Sequence, residues 1–330
     1  MKKIFKGKIF KNAVKILVSL GFIAWLVFKI KWNEVLFYLG QVNYWQIALY
    51  LAIVVSGIFI SAFKWRMLAG FKGIHRPFGD FFKYYLTGTF INNFMPGFLG
   101  GDTYKSYEIG KKGNKFAQAA SSVMMDRITG LVGATVLVLV FSLINFRTVM
   151  GNKALLVANA LIFLSFLFDL FLAKVKSIPL IKNQAKKILP EKITEFFHEL
   201  GLYSSDHGIL VKSVMMGGVF SIVGMALANY VLLLAFGVHI GIINYLSVIF
   251  IITIVSSIPI SINNIGLKEW AFVTFFGIFG VNSAAVTAVS IVSRFLQMLI
   301  SFAALPMYLK TKKDRGIIEE IEEKEIGETL

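Results

Sequence analysis

Asn92-Asn93-Phe94-Met95-Pro96-Gly97-Phe98-Leu99-Gly100-Gly101-Asp102 closes an apolar run that opens at Tyr84, and Arg127 follows its acid by 25 residues. An ungapped shift of 167 residues places Asp102 on Glu269 and Arg127 on Arg294. Each half of the chain therefore carries an acid and then, at the same interval, an arginine set in apolar sequence. Ionisable groups inside hydrocarbon are expensive and mark paths or binding sites. Their duplication points to the two-repeat architecture of transporters.

Composition sets the class. Of 330 residues, 57% are hydrophobic and 16% charged, with a mean hydropathy of +0.73. That is a polytopic membrane protein. The longest hydrophilic stretch, Lys174 to Lys212, is too short for an independent catalytic domain. Absence of cysteine excludes disulfides, thiolate catalysis and Cys-ligated metals. His75, His198, His207 and His239 form no metal-ligand pair on one helical face, so no metal or other cofactor is expected. The net charge of +16 reads as loops facing anionic lipid at the cytoplasmic surface, with no nucleic-acid partner.

The hydropathy pattern predicts a retained first span, Ile16 to Phe28, and a second from Trp45 to Phe63. The run from Tyr84 to Met95 reaches only about 18 Å as a helix, against a hydrocarbon core of about 30 Å. Pro96, Gly97, Gly100 and Gly101 then break it, which predicts a re-entrant segment whose backbone must be covered by protein. A long helix is expected over Ala117 to Phe146 and a span over Ala154 to Ala173. Residues 174–212 read as a cytoplasmic amphipathic linker, with Ile188, Ile193, Phe196, Phe197 and Leu200 on one apolar face. Spans from Ser213 to Phe236, from Asn244 to Ile262 with a break at Pro259 and Gly266, and from Ser283 to Leu309 repeat the order, with apolar Trp270 to Val281 between the last two. Trp25, Trp32, Trp45, Trp65 and Trp270 read as an interfacial aromatic belt.

The basic residues orient this layout. Twenty-seven fall in the segments taken as cytoplasmic (six in the N-terminus, five in 64–83, four in 102–115, seven in 174–212, five in the tail) and five in the outer loops. This positive-inside bias puts both termini in the cytoplasm. Three spans then separate the start of one repeat from the start of the next, which inverts the second. The expected fold is all-α, one membrane domain over 1–330, with inverted repeats at about 45–146 and 212–313 and a charged tail at 310–330. Arg127 and Arg294 are expected near the midplane, facing one cavity.

Each motif has a ligand-binding and a structural reading. The glycines around Asp102 expose amides as an anion nest, or they form a helix-breaking turn. Asp126 and Arg127 are neighbours on a helix, so they point apart and must find partners elsewhere. Arg127 either clamps a phosphate in a bidentate fork or holds the turn through Asp102 or Glu108. In the second copy, Ile258-Pro259-Ile260-Ser261-Ile262-Asn263-Asn264-Ile265-Gly266-Leu267-Lys268-Glu269-Trp270, Glu269 either pairs with Arg294 or meets a cationic headgroup.

Together, the Asn-Asn-x-x-Pro…Gly-Gly-Asp turn, the Asp-Arg-x-x-Gly-Leu helix and the Pro-Ile-Ser…Gly-x-Lys-Glu turn resemble the transmembrane region of lysylphosphatidylglycerol synthase, or flippase-like domain, over about residues 10–312. The resemblance implies movement of a phospholipid or lipid-linked headgroup between leaflets, without the soluble synthase domain. Lys105 and Lys268 stand where that family often has arginine, and Asn263-Asn264 where glycines are common. The expected substrate-binding residues are Arg127, Arg294, Asp102, Glu269, Asp126, Lys105 and Lys268. The expected turn residues are Pro96, Gly97, Gly100, Gly101, Pro259 and Gly266. The expected location is the plasma membrane, and the expected role is non-enzymatic. Two other classes stay open: an accessory protein for envelope lipid or glycan synthesis, and a lipid-modifying enzyme such as a phosphatidylglycerol lysyltransferase. The partners to expect are membrane phospholipid or lipid-linked glycan, a second copy of the chain, or envelope-biosynthesis enzymes.

Overall fold

The computed structural model describes residues 17, 20–21, 24–25, 27–40, 42–94, 99–176, 191–258, 260–261 and 264–309. Most of the first span, Ile188, the turn residues Pro96, Gly97 and Pro259, and the tail 310–330 lie outside them. Regular structure among the described residues is helical throughout. In chain order the helices are α1 (Trp32–Gly40), α2 (Tyr44–Phe71), α3 (Phe78–Phe94), α4 (Leu99–Gly110), α5 (Phe116–Ile144), α6 (Phe146–Gly151), α7 (Lys153–Lys176), α8 (Glu191–Gly201), α9 (His207–Ala235), α10 (Ile242–Ser257), α11 (Leu267–Gly277) and α12 (Ser283–Phe302). A π turn, Ser221–Leu227, lies inside α9.

Local chemistry sets the helix starts. Asn43 accepts from the Trp45 amide, Asp206 from Ile209, and Asn282 from Ala284 and Ala285, so α2, α9 and α12 each begin on a side-chain cap. Among the described residues, four helices are long and apolar enough to cross a membrane: α2, α5, α9 and α12, with 28, 29, 29 and 20 residues. Large apolar side chains such as Leu143, Met215 and Phe295 are exposed on their outer faces, as lipid contact requires. Between the long helices sit two broken pairs. α3 and α4 have 17 and 12 residues, α10 and α11 have 16 and 11. At 1.5 Å per residue, α4 and α11 reach only about 17–18 Å. The order long, short, short, long thus occurs twice.

Two spans run beyond the segments expected from hydropathy. α2 does not stop at Phe63 but continues to Phe71, because Lys64 is buried and paired rather than solvated. The first broken limb starts at Phe78, six residues before Tyr84. Trp65 is not in an interfacial belt. It is fully buried, and its Nε1 donates to Ser122 Oγ at 3.1 Å. Trp45, in the first turn of α2, is 86% exposed.

α2 and α9 run antiparallel. Tyr203, just before α9, donates to the Leu68 carbonyl at 2.8 Å near the end of α2. Gly57 and Gly224 meet midway, where a Cβ on Gly57 would stand 2.7 Å from Gly224 Cα. The Asn43 amide at the start of α2 bonds the Ala235 carbonyl at the end of α9, at 3.1 Å. Only glycine permits this approach, the usual means of packing helices in lipid. The amphipathic α8 is fastened beneath this pair by Glu199, which meets Lys72 at 3.0 Å and Gln118 at 3.1 Å. Its Ile193 and Phe197 stay exposed.

Candidate functional site: two acid–arginine clusters

The first cluster is built on α2, α3, α4 and α5. The Gly101 amide donates to Asn92 Oδ1 at 2.8 Å, tying the start of α4 back to α3. Gly101 lies against the Gly88 carbonyl so closely that a Cβ at position 101 would fall on its oxygen. α4 therefore lies flat along α3 and turns Asp102 towards α5. There one carboxylate oxygen of Asp102 meets Arg127 Nε, and the other meets Lys105 Nζ at 3.0 Å. Lys105 is also held over the rings of Tyr85 and Trp65, at 4.6 and 5.5 Å. On the neighbouring face of α5, Asp126 pairs with Lys64 at 3.1 Å, and Lys64 donates to the Asp126 carbonyl at 2.7 Å. Glu108 pairs with Lys111 at 2.7 Å.

The second cluster is built on α11, α12 and the turn before α11. Glu269 Oε2 accepts from the Gly266 amide at 2.8 Å, capping α11 from inside its first turn. Gly266 and Asn264 adopt φ of 79° and 56°, the left-handed backbone the turn requires. Arg294 meets Glu269 Oε1 at 2.9 Å through Nη2 and 3.2 Å through Nε, and also donates to the Asn264 carbonyl at 3.1 Å. Ser290 donates to the same carboxylate oxygen at 3.3 Å. Lys268 points elsewhere: its Nζ donates to Ser293 Oγ at 2.7 Å and lies 5.5 Å from the Phe272 ring.

Both arginines thus pair with the acid 25 residues before them. They do so in two places. α2 touches the first cluster through Lys64 and the second through Tyr50, which donates to the Ser293 carbonyl at 3.2 Å and accepts from Gln297 at 3.1 Å. These points are 14 residues apart, about 21 Å along the helix. Surface cavities of about 370 Å³, beside Lys72 and Glu199, and about 250 Å³, beside His239 and Asn282, lie at opposite ends of α2, and neither is lined by Arg127 or Arg294.

Among the expected residues, Asp102, Lys105 and Arg127 form one contact set, and Glu269 and Arg294 another. Gly101 packs on the Gly88 carbonyl, and Gly266 takes the left-handed φ of the turn before α11. Gly100 is the second residue of α4. Lys64 is the residue that the hydropathy reading missed. Its signal was Asp126 itself, an acid in a span whose neighbour Arg127 faces another way and which therefore needs a cation from an adjoining helix.

The pairs are unevenly accessible. The side chains of Arg127 and Arg294 are 35% and 28% exposed, those of Asp102 and Glu269 only 14% and 5%. A planar guanidinium donates to carboxylate and phosphate oxygens alike in a bidentate fork.

Comparison with known proteins agrees with this architecture. The UPF0104 membrane protein MJ1595 of Methanocaldococcus jannaschii is 25% identical over 327 residues, covering 89% of this chain and 93% of that protein. Residues 12–304 match the lysylphosphatidylglycerol synthase TM region, so that both clusters and every long helix fall inside the match. This membrane chain belongs to the lysylphosphatidylglycerol synthase transmembrane-region family.

Proposed function

We propose that the protein moves a phospholipid or lipid-linked headgroup between leaflets, without an enzymatic step, and that the Asp102–Arg127 and Glu269–Arg294 pairs are successive gates on its path. The observation that carries this reading is the repeated pair itself: a largely buried acid holding a part-exposed arginine, present twice, at points about 21 Å apart along one helix. A lipid phosphate arriving at either arginine competes with the carboxylate for it, and the acid takes the arginine back when the phosphate leaves. Asp126, Lys105 and Lys268 line these stations. The antiparallel course of α2 and α9 and the repeated helix order support reading 45–146 and 212–313 as inverted copies, each with a re-entrant pair. The basic bias supports cytoplasmic termini in the plasma membrane.

The test is lipid transfer between leaflets in proteoliposomes. Arg127→Gln and Arg294→Gln should insert and fold yet transfer lipid more slowly than wild type. Wild-type rates in both variants would end this reading.

A further inference from the structure

The two clusters do not balance their charge in the same way. Lys64, Lys105, Arg127, Lys268 and Arg294 are the cations set among the helices of the two clusters. Lys64 meets Asp126, Lys105 and Arg127 share Asp102, and Arg294 meets Glu269. Among the described residues, Lys268 alone of these five has no carboxylate at ion-pair distance. A serine hydroxyl and an aromatic ring are its neighbours. Glu269 is the only acid between residues 207 and 309, and Arg294 has taken it. Lys268 also stands in the first turn of α11, the positive end of the helix dipole, where an anion is favoured and a cation is not. Phe272 occupies the place that corresponds, under the 167-residue shift, to the ion-paired Lys105.

We infer that Lys268, with the Ser293 hydroxyl, is the seat of a single negative charge, the phosphodiester of a lipid, at the second cluster. The inference rests on the lipid-translocation reading and narrows it to substrates bearing that group. One ammonium, whose neighbouring guanidinium is already neutralised, calls for one compensating negative charge. A phosphodiester supplies it, and its second oxygen can accept from Ser293. Uptake there leaves the Glu269–Arg294 pair closed until the lipid moves on. The first cluster has no equivalent seat, because Asp102 already serves Lys105.

The experiment is binding to the purified full-length protein, read by native mass spectrometry. The probes are dioctanoyl phosphatidylglycerol, dioctanoyl phosphatidylcholine as the zwitterion, and inorganic phosphate. Wild type should prefer phosphatidylglycerol. Lys268→Met and Lys268→Gln should each bind it about tenfold more weakly, the loss of one charged hydrogen bond, and Lys268→Arg should retain it. Without lipid, Lys268→Met should melt no lower than wild type, because it removes an uncompensated ammonium. A clearly lower melting temperature would mark a structural Lys268–Ser293 bond and overturn the inference. So would unchanged phosphatidylglycerol binding in Lys268→Met. Inorganic phosphate displacing the lipid mole for mole would overturn the assignment to a lipid group. The gates fail separately: wild-type transfer in Arg127→Gln and Arg294→Gln would refute them while leaving the binding result intact.

Discussion

Asp126→Asn is the sharpest test of how the first cluster is held. The Lys64 and Asp126 side chains are 4% and 6% exposed, so neither charge has water to fall back on. The substitution keeps the volume and leaves the Lys64 ammonium with neutral acceptors only, among them the backbone carbonyl of position 126. Breaking a buried pair from one side costs about 3–5 kcal/mol, because the remaining charge is uncompensated. At about 2 °C per kcal/mol for a chain this large, the melting temperature should fall by roughly 6–10 °C. Tryptophan fluorescence during thermal unfolding in detergent is a suitable assay, since Trp65 adjoins Lys64 and bonds Ser122 one turn from Asp126. The double variant Lys64→Met with Asp126→Leu should recover most of the loss, because an apolar pair of similar volume removes both desolvation penalties. A wild-type melting temperature in Asp126→Asn, or a double variant no more stable than the single, would refute the claim that this pair holds α2 against α5.

Gly101→Ala should cost about 1–3 kcal/mol by forcing α4 away from the Gly88 carbonyl, and limited proteolysis should then cut between Phe94 and Leu99 faster. Arg127→Lys should transfer lipid faster than Arg127→Gln and slower than wild type, since charge survives without the planar fork; equal rates for the two would remove the fork from the mechanism. Single cysteines at Asp80 and Gly110, placed in a chain that has none, should both label from the cytoplasmic face, and labelling from opposite faces would rule out the re-entrant pair.

Much of this protein was legible in its sequence because lipid leaves the backbone few choices. Long apolar runs must be helices, and an acid or arginine inside one must find a partner. Hence the membrane class, the repeated acid–arginine interval and the broken pairs at Gly101 and Gly266 followed from residue order alone. The register of the 167-residue shift carries through the later helices, where Phe116 lands on Ser283, the first residue of α12. What residue order could not decide was which charge meets which. Lys64 closes an apolar run and looks like the start of a loop, yet the antiparallel packing of α2 and α5 sets it against Asp126. Arg127 had Asp102 and Glu108 within reach, and the flat lie of α4 on α3 chose Asp102. Lys105 and Lys268 look alike beside their acids, but the first sits three residues after Asp102, on the same helical face, and pairs with it. The second sits one residue before Glu269, on a different face, and meets Ser293 of α12 instead. Such pairings depend on helix rotation and approach distance, set by glycine contacts such as Gly57–Gly224 between segments far apart in the chain.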